Sequence, residues 1–124
     1  ELATAVINKL PVKVAILNNG FLGMVRQWQE LFFQERYSHT RLDARVDFVK
    51  IAEAYGAVGL RATKPSEVEP VLKEAFKIKR PVFMDFAIDW EEKDYPMVPA
   101  GSSIDDMLFL EEKKKTEKKL KAVK

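Results

Sequence analysis

Residues 12–28 read VKVAILNNGFLGMVRQW and carry the clearest fold signal in the chain. Its first six residues form a short, mostly apolar run with several β-branched side chains, which is typical of a buried strand. The turn formers Asn18, Asn19 and Gly20 end that strand. Apolar residues then recur at helical spacing, which predicts a helix over residues 22–34. The stretch therefore predicts a strand that leads through a tight polar turn into a helix.

Helix and strand patterns alternate along the rest of the chain. An amphipathic helix is predicted before the first strand, over residues 2–10. The other predicted helices cover 48–55, 67–77 and 102–110, and the other predicted strands cover 57–62 and 82–88. This alternation predicts an α/β fold with a parallel sheet and helices on both faces. Only three strands are visible and the first helix has no capping signal, so we expect the first strand of the fold to be missing.

Capping residues predict where two of these helices begin and end. Asp47 can cap the helix that follows it, and Gly56 is placed to end that helix in a left-handed conformation. Ser66 and Glu69 form a capping-box pattern for the helix over 67–77. Pro70 then lies early enough that its missing amide is expected to cost little stability.

Composition narrows the classes of function. The chain has 124 residues, of which 47% are hydrophobic and 32% charged, as in a globular domain. No apolar run approaches the ~18 residues of a membrane span, so we expect no membrane partner. The absence of cysteine and the single histidine exclude thiolate, iron–sulfur and multi-histidine zinc sites. Residues 111–124 form a lysine-rich tail without aromatic residues, predicted to be helical and solvated and not to bind nucleic acid.

The polar turn after the first strand is where we expect chemistry. In an open parallel sheet, ligands bind beyond the carboxyl ends of the strands, beside helix N-termini. Gly20 and Gly23 allow the backbone to approach an anion closely, and nearby amides can donate to phosphate oxygens. An asparagine oxygen and a backbone carbonyl are hard neutral ligands that suit Mg²⁺. On these residues alone, an ordinary tight turn is the more common interpretation.

Four segments carry a resemblance to a known family: ELATAV (1–6), PVKVAILNNGFLGMVRQWQELFFQERYSHT (11–40), DFVKIAEAYGAVGLRATKPSEVEP (47–70) and YPMVPAGSSIDDM (95–107). Together they resemble the C-terminal thiamine-diphosphate-binding domain of the acetolactate synthase (acetohydroxyacid synthase) catalytic subunits. The likeness extends to about residue 110. It implies that residues 1–110 are a truncated C-terminal thiamine-diphosphate-binding domain and that 111–124 are a separate lysine-rich tail.

The resemblance also implies a cofactor site, because the asparagine pair looks like the end of the family's thiamine-diphosphate signature. Asn19 would ligate Mg²⁺ through its side chain and Phe21 through its backbone carbonyl. The residues expected to wrap the diphosphate are Asn19, Gly20, Phe21, Leu22, Gly23 and Met24. The Gly-Asp-Gly that begins the signature is absent and would lie upstream of Glu1. Trp28 resembles a tryptophan of the family's substrate channel.

The implied reaction is a carboligation in branched-chain amino-acid biosynthesis. Two pyruvates, or pyruvate and 2-ketobutyrate, would give 2-acetolactate or 2-aceto-2-hydroxybutyrate with loss of CO₂. The resemblance implies thiamine diphosphate and Mg²⁺ as cofactors, and FAD bound mostly outside this chain. It further implies N-terminal and middle domains, a homo-oligomer, a regulatory subunit, and a cytoplasmic location, or a plastid location in a plant. The activating glutamate would come from another chain, so no catalytic residue is assigned and the fragment alone is expected to be inactive.

Two other functions remain open from the sequence. A related thiamine-diphosphate enzyme, of the pyruvate oxidase or glyoxylate carboligase type, would use the same metal and diphosphate groups. A non-catalytic α/β docking module with a basic tail would use none of them.

Several side chains also admit a purely structural role. Met24 and Trp28 lie four residues apart on one helical face, so they either line a site or pack in a core. His39, in the predicted loop 35–46, is expected to form a hydrogen bond within that loop. Asp85 interrupts an apolar strand and is expected to find a structural partner. Arg26 is expected to form a weak i,i+4 pair with Glu30.

Overall fold

The computed structural model describes residues 1–42 and 46–110. Its helices are α1 (Leu2–Ile7), α2 (Gly23–Phe32), α3 (Phe48–Ala54) and α4 (Pro65–Lys77), and its strands are β1 (Lys13–Asn18), β2 (Val58–Ala62) and β3 (Val82–Ala87). The chain divides into two compact units, Glu1–Glu92 and a second that begins at Lys93. The predicted helical tail, 111–124, lies outside the described residues, and the domain boundary at residue 110 stays a prediction.

The three strands form one parallel sheet in the order β1-β3-β2. Val82 of β3 lies opposite both Lys13 of β1 and Val58 of β2, so the strands start in register. Their carboxyl ends consequently meet at one edge of the sheet. This arrangement confirms the predicted α/β class with a parallel sheet.

One face of the sheet packs against α4. The buried members of this core are Ala62, Ala75, Val82, Met84 and Phe86. The three from β3 are alternate residues, as a strand with one face on that core requires.

The other face carries α3 at very short range. A Cβ added at Gly59 of β2 would lie 2.7 Å from a side-chain carbon of Val49 and 2.9 Å from its backbone. Only glycine therefore fits where β2 passes under α3. Helices on opposite faces of the sheet were predicted, and α3 and α4 confirm it.

The first strand differs from its predicted burial. Ala15 is exposed and Leu17 is 67% exposed, whereas the apolar run predicted a buried strand. The reason is position, because β1 is at the edge of the sheet and packs mainly against β3. At its start the Lys13 ammonium donates to the carbonyls of Pro11, Ile78 and Arg80 at 2.9–3.0 Å.

The ends of α3 were predicted correctly. The Asp47 carboxylate accepts hydrogen bonds from the amides of Val49 and Lys50, at 3.1 and 3.2 Å. Gly56 follows the helix with φ +84°, in the left-handed region.

The predicted capping box of α4 is wrong. The helix begins at Pro65, and the Glu67 carboxylate accepts from the amides of Thr63 and Lys64, at 2.7 and 3.2 Å. Proline is favoured at the first position of a helix, which moves the start ahead of Ser66. Pro70 then lies in the second turn, where its missing amide removes a normal helical hydrogen bond.

The unit that begins at Lys93 lacks the last predicted helix within its described residues. A single 3₁₀ turn, Ile104–Asp106, replaces it, and the Ser103 hydroxyl accepts from the Asp105 amide at 3.3 Å. Leu108 is instead drawn into an antiparallel bridge with Met97, with N–O distances of 3.0 and 2.7 Å. Within residues 1–42 and 46–110, no helix combines the length and the apolarity that crossing a membrane requires.

Candidate functional site

Two successive side-chain turns follow β1 at the carboxyl edge of the sheet. The Asn18 Oδ1 accepts from the Gly20 amide at 3.1 Å, and the Asn19 Oδ1 accepts from the Phe21 amide at 3.0 Å. Gly20 adopts φ +69°, which the turn requires and which favours glycine. Both asparagine side chains therefore accept hydrogen bonds from nearby backbone amides, as turn-forming asparagines do.

The Asn19 side chain lies directly against the start of α2. A Cβ added at Gly23 would lie 2.8 Å from the Asn19 Nδ2, closer than atoms of this kind approach. The missing Cβ thus leaves the space in which the Asn19 carboxamide sits. No described side chain caps this end of α2, so its first amides remain available to an anionic ligand.

The segment from Thr40 to Leu42 clamps this loop. The Leu22 amide donates to the Thr40 carbonyl at 2.8 Å, and the Leu42 amide donates to the Gly20 carbonyl at 2.9 Å. Phe21 and Arg41 consequently face each other as an antiparallel bridge. The sequence predicted only a loop here, because backbone pairing between distant segments leaves no local pattern.

A cavity of about 360 Å³ opens beside the two asparagines. The described residues that line it are Asn18, Asn19, Gly20, Phe21, Arg41, Leu42, Val46, Phe48 and Ile88. These residues combine amide groups, one guanidinium and apolar side chains, which suits an anionic ligand with an apolar portion. Only the first four were predicted to lie at a site or in its turn.

The remaining predicted residues lie along α2, outside this lining. Leu22, Gly23 and Met24 continue from the loop into the first turn of the helix. Met24 is 59% exposed and Trp28 is 43% exposed, so neither packs in a core of the described structure. The Trp28 ring packs edge-on against Phe32, with centroids 6.2 Å apart.

An ion-paired network links the sheet to the start of α3. Asp85 is only 3% exposed, and its Oδ2 accepts from the Arg61 Nε at 3.0 Å. Arg61 also donates to Asp47 at 2.6 Å, so it joins β3, β2 and the cap of α3. The Lys50 amide, and then Arg61, hold the pKa of the Asp47 carboxyl below its usual range. The structural partner predicted for Asp85 is thereby confirmed.

His39 forms the local hydrogen bond that was predicted for it. Its Nδ1 lies 2.7 Å from the Ser38 Oγ, in the segment that leads into the clamp.

Comparisons with known proteins show which proteins this chain is similar to. Residues 1–86 match the family described as thiamine pyrophosphate enzyme, C-terminal TPP binding domain. The chain is 51% identical over 112 residues to the acetolactate synthase of Mycobacterium leprae, covering 86% of this chain and 18% of that protein. It is 43% identical over 117 residues to the acetolactate synthase large subunit of Haemophilus influenzae, covering 94% of this chain and 20% of that protein.

Among solved structures, the chain is similar to a thiamine diphosphate-dependent 4-hydroxybenzoylformate decarboxylase from Rhodococcus jostii RHA1. The TM-score is 0.68 and the sequence identity 26%, over 74% of this chain and 17% of the decarboxylase. The chain thus spans about a fifth of the length of the relatives that it matches.

Proposed function

The chain belongs to the thiamine pyrophosphate enzyme family, whose C-terminal TPP-binding domain it matches, and on that premise we propose that residues 19–24 hold a magnesium-bound diphosphate. The observation that carries the proposal is the contact between Asn19 and Gly23, 2.8 Å from the Asn19 Nδ2 to the position of a Cβ. It holds a carboxamide beside the uncapped amides of α2, where a phosphate group would be bound.

The donors present fit such a group. Asn19 would bind Mg²⁺ through its Oδ1 and Phe21 through its backbone carbonyl, and both are hard neutral oxygens. The Asn19 Oδ1 already accepts the Phe21 amide at 3.0 Å, and an amide oxygen has a second lone pair for a metal. The remaining metal ligands would come from outside this chain.

Each residue of the loop has a distinct part in binding. Gly20 provides the left-handed turn, and Gly23 leaves room for the Asn19 carboxamide. Met24 would contribute its backbone amide to the diphosphate, whereas the Leu22 amide already donates to the Thr40 carbonyl and so fixes the loop that wraps the diphosphate. The bound cofactor supplies a nucleophilic thiazolium carbon and an electron sink for decarboxylation. The role of this chain is to fix and orient that cofactor at the sheet edge.

The parent protein is proposed to be an acetolactate synthase. Relatives of that name are 43–51% identical to this chain. We infer pyruvate and 2-ketobutyrate as substrates, and FAD, further domains, a homo-oligomer and a regulatory subunit as partners outside these residues. The proposed compartment is the cytoplasm, or the plastid in a plant. Trp28, 43% exposed on α2, would face the substrate channel.

Product identity separates this function from the other thiamine-diphosphate reactions. The full-length parent should form acetolactate from pyruvate, whereas a decarboxylase of the kind named for the Rhodococcus structure releases an aldehyde. An oxidase or a glyoxylate carboligase would give neither acetolactate nor that aldehyde. The family match favours all of these enzymes over a docking module.

The metal site is tested by Asn19→Ala in the full-length parent. Because the variant removes one metal ligand, we expect the dissociation constant for thiamine diphosphate in the presence of Mg²⁺ to rise by about tenfold or more. The measurement is quenching of tryptophan fluorescence on titration with the cofactor. Asn8→Ala is the matched control, since Asn8 only donates to the Thr4 carbonyl on exposed α1. Equal affinity in the two variants would remove Asn19 from the metal site.

A further inference from the structure

Arg26 of α2 is nearly buried at 9% exposure, and aromatic rings surround its guanidinium. The guanidinium carbon lies 4.3 Å from the ring centroid of Trp90, 4.7 Å from that of Tyr37 and 5.4 Å from that of Phe21. Glu30, one helical turn on, lies 3.5 Å from the same guanidinium. The predicted i,i+4 pair is present, but three aromatic rings also contact the Arg26 guanidinium.

The three rings come from three different segments at the carboxyl edge of the sheet. Phe21 belongs to the loop after β1, Tyr37 to the segment that returns to clamp this loop, and Trp90 to the chain that follows β3. The Phe21 and Trp90 rings also contact each other, with centroids 5.7 Å apart. A single cation therefore joins the segments that border the proposed site.

Phe21 links this cluster to the proposed metal site. Its ring lies against Arg26, its amide donates to the Asn19 Oδ1, and its backbone is paired with Arg41. Anchoring the ring limits displacement of the Phe21 Cα, and together with the pairing to Arg41 it limits where the Phe21 carbonyl can lie. Residues that orient metal ligands in this way govern affinity without touching the metal.

We propose that Arg26 is a positioning residue that anchors the Phe21 ring and so holds the Phe21 carbonyl in place for Mg²⁺. This inference rests on the function proposed above. A planar guanidinium can contact several ring faces at once, whereas an ammonium is a compact point charge. Arginine is therefore required, and lysine is only a partial substitute.

The test is Arg26→Met in the full-length parent, with Mg²⁺ titrated at saturating thiamine diphosphate and cofactor binding followed by tryptophan fluorescence. We expect the dissociation constant for Mg²⁺ to rise about tenfold, and Arg26→Lys to recover part of that loss. Maximal cofactor binding should return at high Mg²⁺. A purely structural role would lower the folded fraction and leave the Mg²⁺ dissociation constant of the folded protein unchanged, and that result would overturn the proposal.

A second variant covers the case in which Arg26→Met does not fold. Trp90→Leu removes the nearest ring from the cation, so it should raise the same constant by about threefold, measured by calorimetric titration because this variant lacks one of the reporting tryptophans. Arg36→Met is the matched control, because Arg36 is an exposed arginine that donates only to the nearby Phe33 carbonyl. An unchanged Mg²⁺ dissociation constant in Trp90→Leu would also overturn the proposal.

Asn19→Ala in the same titration separates the two proposals. If Asn19→Ala weakens Mg²⁺ binding and both Arg26→Met and Trp90→Leu leave it unchanged, the positioning role fails and the metal site stands. If Asn19→Ala has no effect, the proposed function itself fails, and the role of Arg26 fails with it.

Discussion

At the scale of single residues, the absence of one methyl group shapes the site. Gly23 has an ordinary backbone conformation, so a larger residue is excluded only by the Asn19 Nδ2 at 2.8 Å. Gly20 presents the opposite case, since its φ is +69° while the space around its missing Cβ is empty. Gly23 is therefore needed to leave room for the Asn19 side chain, whereas Gly20 is needed for its left-handed backbone conformation.

These two glycines give a matched pair of substitutions. Gly23→Ala should displace the Asn19 carboxamide and weaken thiamine-diphosphate binding about tenfold with little change in thermal stability. Gly20→Ala should instead lower stability by ~1 kcal/mol, because alanine is strained in the left-handed region. Calorimetric titration with the cofactor and thermal unfolding of both variants in the full-length parent check this. The expectation fails if Gly23→Ala binds the cofactor as tightly as the wild type.

The site residues that could be predicted from the sequence are those that are contiguous in the chain. The run from Asn18 to Gly23 could be predicted as a site because its turn formers, its glycines and the family resemblance all lie in one stretch. The rings around Arg26 could not, since Tyr37 and Trp90 lie far along the chain and reach Arg26 only through the fold. Helical spacing predicted Glu30 as a partner of Arg26 and predicted none of the rings.

At the scale of elements, the cap of α3 is tied to the middle of the sheet. The Asp47 carboxylate caps the helix and also accepts from Arg61, which in turn pairs with buried Asp85. The pKa of Asp47 lies below its usual range, first because of the Lys50 amide and then because of Arg61. The charged form is therefore favoured by folding.

This predicts a pH dependence that Asp47→Asn should remove. Because the folded pKa is lowered, the stabilisation is fully present above about pH 4, the ordinary range of an aspartate, and is lost as the pH falls through the lowered pKa. Asparagine still caps a helix, so only the charge contribution disappears. Thermal unfolding between neutral and acidic pH should show the variant less stable near neutrality and equal to the wild type in acid. Glu53→Gln, exposed on α3, controls for net charge, and a constant difference at every pH would contradict the prediction.

The elements themselves were largely predictable, and their exceptions have a common cause. Apolar periodicity marked all three strands and the helices α1 to α4, because burial of one face leaves a local pattern. The prediction of a last helix was wrong because Leu108 pairs with Met97. The clamp on the loop was not predicted because it depends on the pairing of Arg41 with Phe21. Pairing across the chain has no period that a sequence can display.

At the scale of the whole molecule, the described residues offer only some of the ligands that a magnesium-bound cofactor needs. Among the described residues that line the cavity beside the asparagines, the polar side chains are those of Asn18, Asn19 and Arg41, and none of these is acidic. A magnesium ion with a diphosphate would require further oxygen ligands. The chain spans about a fifth of its relatives, so we propose that those ligands belong to the rest of the enzyme.

The proposed metal site is tested most directly by a crystal structure of the full-length parent with thiamine diphosphate and Mn²⁺ in place of Mg²⁺, with the metal located by its anomalous signal. We expect the metal at about 2.1 Å from both the Asn19 Oδ1 and the Phe21 carbonyl, with the diphosphate against the first amides of α2. A metal and diphosphate bound away from residues 19–24 would contradict the proposal.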